Sequence, residues 1–408
     1  MSVDKLVDST QLDSDLTSVA NAIRTKGGTS ASLAFPADFV SAIGAIPSGG
    51  GGTPVWNRPS DWPDIDQLDI SGGNIIYMTY SAAEDIGYCD ITCKTSSGQY
   101  KVEIGTVSGS TFTAETTYNI DSNTACRHYF GSALGGYKVL RISGNLTDLN
   151  MKSTGYNSYD GQYRYANSQG LLEVRGKAQN LTGITFQDIR FTERIYLYGS
   201  SVASFYNSFR GCASLVIAEL PYVVTSACTT LNYMFNTSYA LKKVDTTGWD
   251  TSGVENMSEV FYQTNCLADV GDISGWDTSA ATTFRSLFNG CRLLRKSIDI
   301  SRWDMSSAAT TQEMFRNCNT LTGSLTIPAT IQSINTFMFN GARQIFEYHF
   351  KSTTPPPMEN TNAFANMNDA GGKKIYVPYS ADHSVLNAYK TASNWSTYAS
   401  YIYEEAAP

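Results

Sequence analysis

Hydrophobic positions follow different periods along this chain, and each period predicts a different element. In residues 1–47, Leu12, Leu16, Val19 and Ile23 recur at four- and three-residue spacing, which puts them on one face of a helix. Asp8 or Ser9 can cap its start, and Gly27-Gly28 stops it. A second short helix is expected after Pro36, with Phe39, Val40, Ile43 and Ile46 apolar. Two helices this short bury little surface alone. Their apolar faces call for another copy of the chain, a docking site on something larger, or the next domain. Leu12, Leu16, Val19, Ile23, Phe39 and Ile43 are therefore the candidate attachment and oligomerisation residues. Residues 48–54, with Gly49 to Gly52, read as a flexible linker.

Residues 55–145 switch to period two. Ile75 to Tyr80, Tyr100 to Ile104 and Tyr137 to Ile142 alternate like half-buried strands. Ser97-Gly98, Ser108-Gly109-Ser110 and Gly135-Gly136 supply the turns. Short strands with turns at such intervals predict a small antiparallel β-sandwich.

Residues 146–372 carry a longer period. Phe209, Phe235, Phe261, Phe288, Phe315, Phe339 and Phe364 are separated by 26, 26, 27, 27, 24 and 25 residues. Phe209-Arg-Gly-Cys212, Phe288-Asn-Gly-Cys291 and Phe315-Arg-Asn-Cys318 are versions of one phrase, and Cys266 falls in the same region. A second phrase, Trp-Asp, starts at Trp249, Trp276 and Trp303, 27 residues apart both times. Two phrases held in one register predict a solenoid. Segments such as Ser297–Ile300 and Ser324–Ile327 are its expected strands, stacked about 4.8 Å apart. Met257 to Phe261 is compatible with a helical turn before each Phe. The Phe, Trp and Cys residues are the candidate repeat core, with cysteine acting as a small buried hydrophobe. Ala342 after Phe339, and Thr237 after Phe235, stand where cysteine is expected, so no chemistry can need an unbroken thiol row.

Residues 373–408 read as a C-terminal cap. A strand at Lys373 to Pro378 precedes a helix from near Ser380, and Trp395, Tyr398 and Ile402 can close the open end.

Composition narrows the function classes. Charged residues are 16% of the 408, the net charge is −8, and there are 25 tyrosines but only three histidines. Nucleic-acid binding wants a basic footprint, and most hydrolytic and metal chemistry leans on histidine. No apolar run approaches the roughly 20 residues of a membrane span. The expectation is a soluble, non-enzymatic β protein without cofactor or metal. Cys89 and Cys93 lack a matching Cys/His pair for zinc. Asp250, Asp277 and Asp304 could form a calcium-binding ladder, or each could simply accept hydrogen bonds in its own turn. Glu173, Asp188 and Glu193 could supply the carboxylate pair of a glycosidase, but no phrase singles them out. Thr154 to Gly170 sets Tyr156, Tyr159, Tyr163 and Tyr165 among Ser, Gly, Asn and Gln. That mixture suits a binding loop, although a plain solvent loop would look the same.

Two resemblances add to this reading. Asn232-Tyr-Met234-Phe235, Glu313-Met314-Phe315-Arg-Asn-Cys318 and the Trp-Asp phrases between them resemble the BspA-like repeats of bacterial and phage surface proteins, relatives of leucine-rich repeats. The tail from Ile375-Tyr-Val-Pro378 to Asn394-Trp395 is similar to the usual ending of such chains. Val7 to Leu12, Ala22 to Ser30 and Phe35 to Ile43 resemble the opening module of tail and fibre proteins from phages and prophages of Firmicutes. Together they imply a mainly β fold with short helices: an N-terminal helical module, an antiparallel β-sandwich, and a leucine-rich-repeat-like (BspA-like) solenoid with a C-terminal cap. They also imply a virion tail fibre or receptor-binding protein. Its N-terminus would attach to other tail or baseplate proteins, it would form a homo-oligomer (a trimer is favoured), and its distal part would meet a glycan or protein receptor on the host. A bacterial cell-surface adhesin is the alternative, and a glycan-degrading tail enzyme a further one.

Overall fold

The period-two segments form two β-sheets that share one core. The structure, a computed structural model, describes residues 56–408 except 73, 82–87, 131–135, 152–154, 157–162, 165–169, 178, 200, 296–297 and 365–371. The expected N-terminal helices, including Leu12, Leu16, Val19, Ile23, Phe39 and Ile43, lie outside the described residues, as does the whole linker.

Seven antiparallel strands come first: β1 (Ile75–Ser81), β2 (Tyr88–Thr95), β3 (Tyr100–Ser108), β4 (Thr111–Ile120), β5 (Ala125–Tyr129), β6 (Tyr137–Ser143) and β7 (Leu146–Asn150). A two-residue ladder, β8 (Gly155–Tyr156) with β9 (Tyr163–Arg164), leads to β10 (Leu171–Lys177) and β11 (Gly183–Thr185). The coils then contribute β12 (Arg194–Tyr198), β13 (Ile217–Glu219) and β14 (Lys243–Asp245). One sheet runs β4-β3-β6-β1-β10-β12-β13-β14, and the other β5-β2-β7-β11. Alternation assigns the faces. Ile76, Met78 and Tyr80 of β1 share a buried cluster with Cys89, Ile91 and Cys93 of β2. Tyr100 spans the sheets, its hydroxyl donating to the carbonyls of Ile91 and Thr124.

Residue 145 is not a seam. In the first sheet β10 pairs antiparallel with β1 and parallel with β12. In the second, β11 pairs parallel with β7, and the ladder continues as single bridges through Gly183, Ser204, Thr230, Asn256, Thr283 and Thr310. The expected sandwich is therefore not a free-standing layer pair, because its two sheets run on as two sides of the solenoid. The physical reason is the edge: an uncovered first coil would leave a row of amides and carbonyls unpaired. β7 and β10 satisfy that row.

The Phe phrases form the third side. Rings from Phe186 through Phe209, Phe235, Phe261, Phe288, Phe315 and Phe339 to Phe364 stack with centroids 4.9–6.0 Å apart. The expected helical turn does not form before Phe209 to Phe339; among the described Phe phrases only that of Phe364 has one, a short 3-10 turn at Thr361–Phe364. Left-handed residues instead stand two before and two after the ring: Asn207 and Gly211, Tyr233 and Thr237, Glu259 and Gln263, Ser286 and Gly290, Glu313 and Asn317, Phe337 and Gly341. This geometry splits the amides into two sets. The Phe209, Phe235, Phe261, Phe288, Phe315 and Phe339 amides donate at 2.8–3.0 Å to Met234, Val260, Leu287, Met314, Met338 and Ala363 of the following coil. Amides one residue away turn back inside their own coil, as Arg210 does to Asn207. A helix would have kept every bond local and left the coils joined by side chains alone.

At the far end β15 (Gly323–Ile327), β16 (Ile345–Phe350), β17 (Lys374–Val377) and β18 (Ile402–Glu404) form a parallel sheet. Of the two expected coil strands, Ser324–Ile327 lies in β15; residues 298–300 have no strand. Helix α1 (Ser384–Thr391) follows β17, slightly later than the sequence suggests. Fully buried Trp395 lies 6.0 Å from Phe364 and 5.1 Å from Phe350, and its Nε1 donates to the Pro356 carbonyl at 2.8 Å. With Tyr398 and Ile402 also buried, this segment covers the end of the Phe stack.

Candidate functional site

Several residues flagged by the sequence serve the stack. Trp249, Trp276 and Trp303 form a second ring column, 5.7 and 5.9 Å apart and near parallel. Asp250, Asp277 and Asp304 each accept from the amide of the Ser two residues on, at 3.1, 3.0 and 2.9 Å. The bonds from Ser252, Ser279 and Ser306 hold these carboxyls below their usual range. The Asp ladder thus serves its own turns. Among the described residues no group of three or more His, Cys, Asp or Glu could hold a metal ion.

The cysteine slot is a donor position as well as a small apolar one. The Cys212, Cys291 and Cys318 thiols lie 3.0, 3.2 and 3.1 Å from the Phe carbonyl of the preceding coil. Burial pushes the Cys212 and Cys291 thiols up to about 12. Ser238 holds the slot after Phe235 and donates to the Phe209 carbonyl at 2.8 Å. Thr237 is one residue short of it, in a left-handed turn. Thr264 fills the slot after Phe261, so Cys266, only half-buried, stands outside the row.

Tyr156 and Tyr163 pair across β8 and β9, whereas Tyr159 and Tyr165 lie outside the described residues. Glu173, Glu193 and Asp188 each have hydrogen-bond partners within the fold. Glu173 is fully buried and receives Arg58 Nε and Nη2 at 2.9 and 2.7 Å and Arg194 Nη1 at 2.7 Å. Glu193 accepts the Trp56 Nε1 proton at 3.1 Å. Asp188 occupies a left-handed turn beside Phe186.

These ion pairs belong to a strap, residues 56–70, laid over the outer face of the first sheet. Ile65 and Leu68 pack there with Tyr77 and Val139. Arg58 and Arg194 carbons lie 5.6 and 5.3 Å from the Trp56 ring centroid, within cation–π range. Asp66 meets Arg194 at 2.8 Å, Arg58 at 2.9 Å and Arg175 at 3.1 Å. Burial works to raise the Asp66 carboxyl, but Arg194 and Arg58 outweigh it and hold it below its usual value.

Where the strap ends, it forms one wall of a groove of about 340 Å³ lined by Leu68, Asp69, Ile70 and Ser71, with Arg175, Lys177, Tyr196 and Tyr198 opposite. Strand register pairs Arg175 with Tyr196 and Lys177 with Tyr198, and each cation lies over its tyrosine, at 5.8 and 5.9 Å. Tyr198 meets Tyr222 edge to face at 5.9 Å. Tyr222 is 51% exposed, and its ring lies over Gly248, where a Cβ would sit 2.2 Å from it. One coil edge carries a similar arrangement: Tyr206 meets Tyr233 at 6.0 Å, and Arg210 lies 5.8 Å from the Tyr233 ring. The groove joins residues far apart in sequence, so no local phrase announced it. The alternation in Tyr196-Leu197-Tyr198 was the available signal.

The comparisons bear on the coils alone. Residues 229–351 match the family model described as "Mycoplasma protein of unknown function, DUF285". That span takes in the coils headed by Phe235 to Phe339 and leaves out the antiparallel strands and the groove. It agrees with a BspA-like repeat protein, and together with the β-solenoid it fits a repeat-containing surface-binding protein. No curated protein matches the chain.

Proposed function

We propose that the protein binds a bacterial surface polymer or receptor without turning it over, and that it does so as a virion tail fibre component attached through residues 1–47. The observation that carries the binding role is the set of exposed tyrosines, paired with one another and with cations, on β12 and on the coil turns beside it. Aromatic rings with hydroxyl tips give large contact area at low conformational cost. Oligomerisation through the N-terminus would multiply weak sites. The tail assignment rests on the sequence resemblance of residues 7–43. A cell-surface adhesin is the second reading, favoured by the repeat-family match. Adsorption of the full chain to candidate host cells tests the binding role. Tyr198→Ala with Tyr222→Ala should abolish most adsorption while leaving the thermal melt in place, and unchanged adsorption would remove the groove from the account. Immunogold labelling separates the two settings, since a tail protein decorates particles and an adhesin decorates the envelope.

A further inference from the structure

We infer that the groove between the strap and β12 takes an anion-bearing saccharide unit, its carboxylate or phosphate held by Lys177 and its ring laid against Tyr198. This deepens the surface-binding reading and rests on it. The groove's charges differ in how far they are already committed. Arg175 donates through Nη1 to the Leu68 carbonyl at 2.8 Å and pairs through Nε with the Asp66 carboxylate at 3.1 Å, so its guanidinium is largely engaged by the strap. The Asp69 carboxylate accepts the Ser71 amide at 2.7 Å, turned toward its own loop. Among the described residues Lys177 has no carboxylate partner; its contact is the Tyr198 ring, 5.9 Å from Nζ. An ammonium beside a half-exposed ring offers hydrogen bonds and charge to an acid while the ring offers an apolar face.

The dimensions agree with one small unit of a longer polymer. A volume of about 340 Å³ lies at the small end of the roughly 300–1,000 Å³ usual for ligand pockets. The opposite wall supplies Leu68 and Ile70 as apolar surface and Ser71 as a hydroxyl. Beyond the groove Tyr222 continues the aromatic surface at 5.9 Å from Tyr198, where the next unit of a chain would lie. A neutral sugar would leave the Lys177 charge unanswered, and a purely apolar ligand would have to strip water from it.

Calorimetric titration of the full chain with cellobiouronic acid, glucose 6-phosphate and cellobiose tests this. One or both anionic probes should bind about tenfold more tightly than cellobiose, as a charge-assisted bond implies. Lys177→Met should erase that difference, Lys177→Arg should keep most of it, and Tyr198→Ala should weaken all three sugars. Preference for one anion names the acid. Equal affinity for all three, or a Lys177→Met variant that still prefers the anions, overturns the inference. Cell adsorption separates the two levels of the claim. Loss in the Tyr198→Ala/Tyr222→Ala protein with none in Lys177→Met leaves surface binding standing and removes the anion. No loss in either removes both.

Discussion

Replacing Glu173 with Gln tests whether the strap is held by charge. Its carboxylate is fully buried and takes three guanidinium hydrogen bonds, from Arg58 at 2.9 and 2.7 Å and Arg194 at 2.7 Å. Glutamine keeps the shape but removes the charge, and its amide turns two protons toward groups that are themselves only donors. Breaking a buried ion pair from one side costs about 3–5 kcal/mol. Arg194 also keeps Glu219 and Asp66, and Arg58 keeps Asp64 and Asp66, which places the expected loss near the lower end, about 3 kcal/mol. Glu219→Gln is the control: its side chain is 30% exposed and among the described residues its ion-pair partner is Arg194, at 2.7 Å, so about 1 kcal/mol or less is expected after solvent screening. Urea unfolding followed by far-UV circular dichroism gives the two losses. Hydrogen exchange should show amides of residues 56–71 opening first in the Glu173→Gln variant. A Glu173→Gln loss below about 1 kcal/mol, or no larger than that of Glu219→Gln, would refute the view that this pair holds the strap down.

Other consequences are open to measurement. Asp66 and Glu103 both sit below the usual carboxyl range: Arg194 and Arg58 overcome burial at Asp66, and Arg141 leads at Glu103. Their contribution is therefore present above the unfolded carboxyl value, near 4, and is lost as pH falls through the lower folded value. Melting temperature should fall on acidification below about pH 4, and less steeply in Asp66→Asn; identical slopes would count against the linkage. Calcium or EDTA should leave the melt of the full chain unmoved, because Asp250, Asp277 and Asp304 serve their own turns; a shift with calcium would restore the metal ladder. Gly248→Ala puts a Cβ 2.2 Å from the Tyr222 ring at a φ of +69°. It should cost about 1–3 kcal/mol and weaken adsorption by displacing Tyr222; an unchanged melt and unchanged binding would show that the ring moves freely.

The long period was legible because stacking is repetitive: each Phe meets its counterpart one coil on, so spacing along the chain is spacing along the stack. The cysteine slot was half legible. Cysteine and serine share it because each can donate to the Phe carbonyl of the preceding coil, which an apolar account of Cys212 does not reveal. Counting from Phe261 finds Thr264 rather than Cys266, and its hydroxyl donates to the Phe261 carbonyl of its own coil. The strands β1, β3 and β6 were legible from alternation alone. Their fusion to the coils was not, since pairing of β1 with β10 joins residues about a hundred positions apart, and no local pattern encodes that. The groove failed to appear for the same reason: Lys177, Tyr198 and Leu68 become neighbours only after the sheet has formed.

The repeating junction between coils also bears on how such a protein can change length. Each Phe phrase hands its amides to the next coil in the same way from Phe209 to Phe339, so one junction is interchangeable with another. Removing residues 262–288 would join Phe261 to Asn289, the residue that now follows Phe288, and leave every remaining coil a complete partner. Such a chain should fold with its groove and its Trp395 closure intact, shorter by about 5 Å, one strand spacing. Removing half of that stretch would leave a Phe facing a Trp and should not fold. Reach, on this view, is a quantity that duplication and loss can adjust in whole steps without disturbing what either end does.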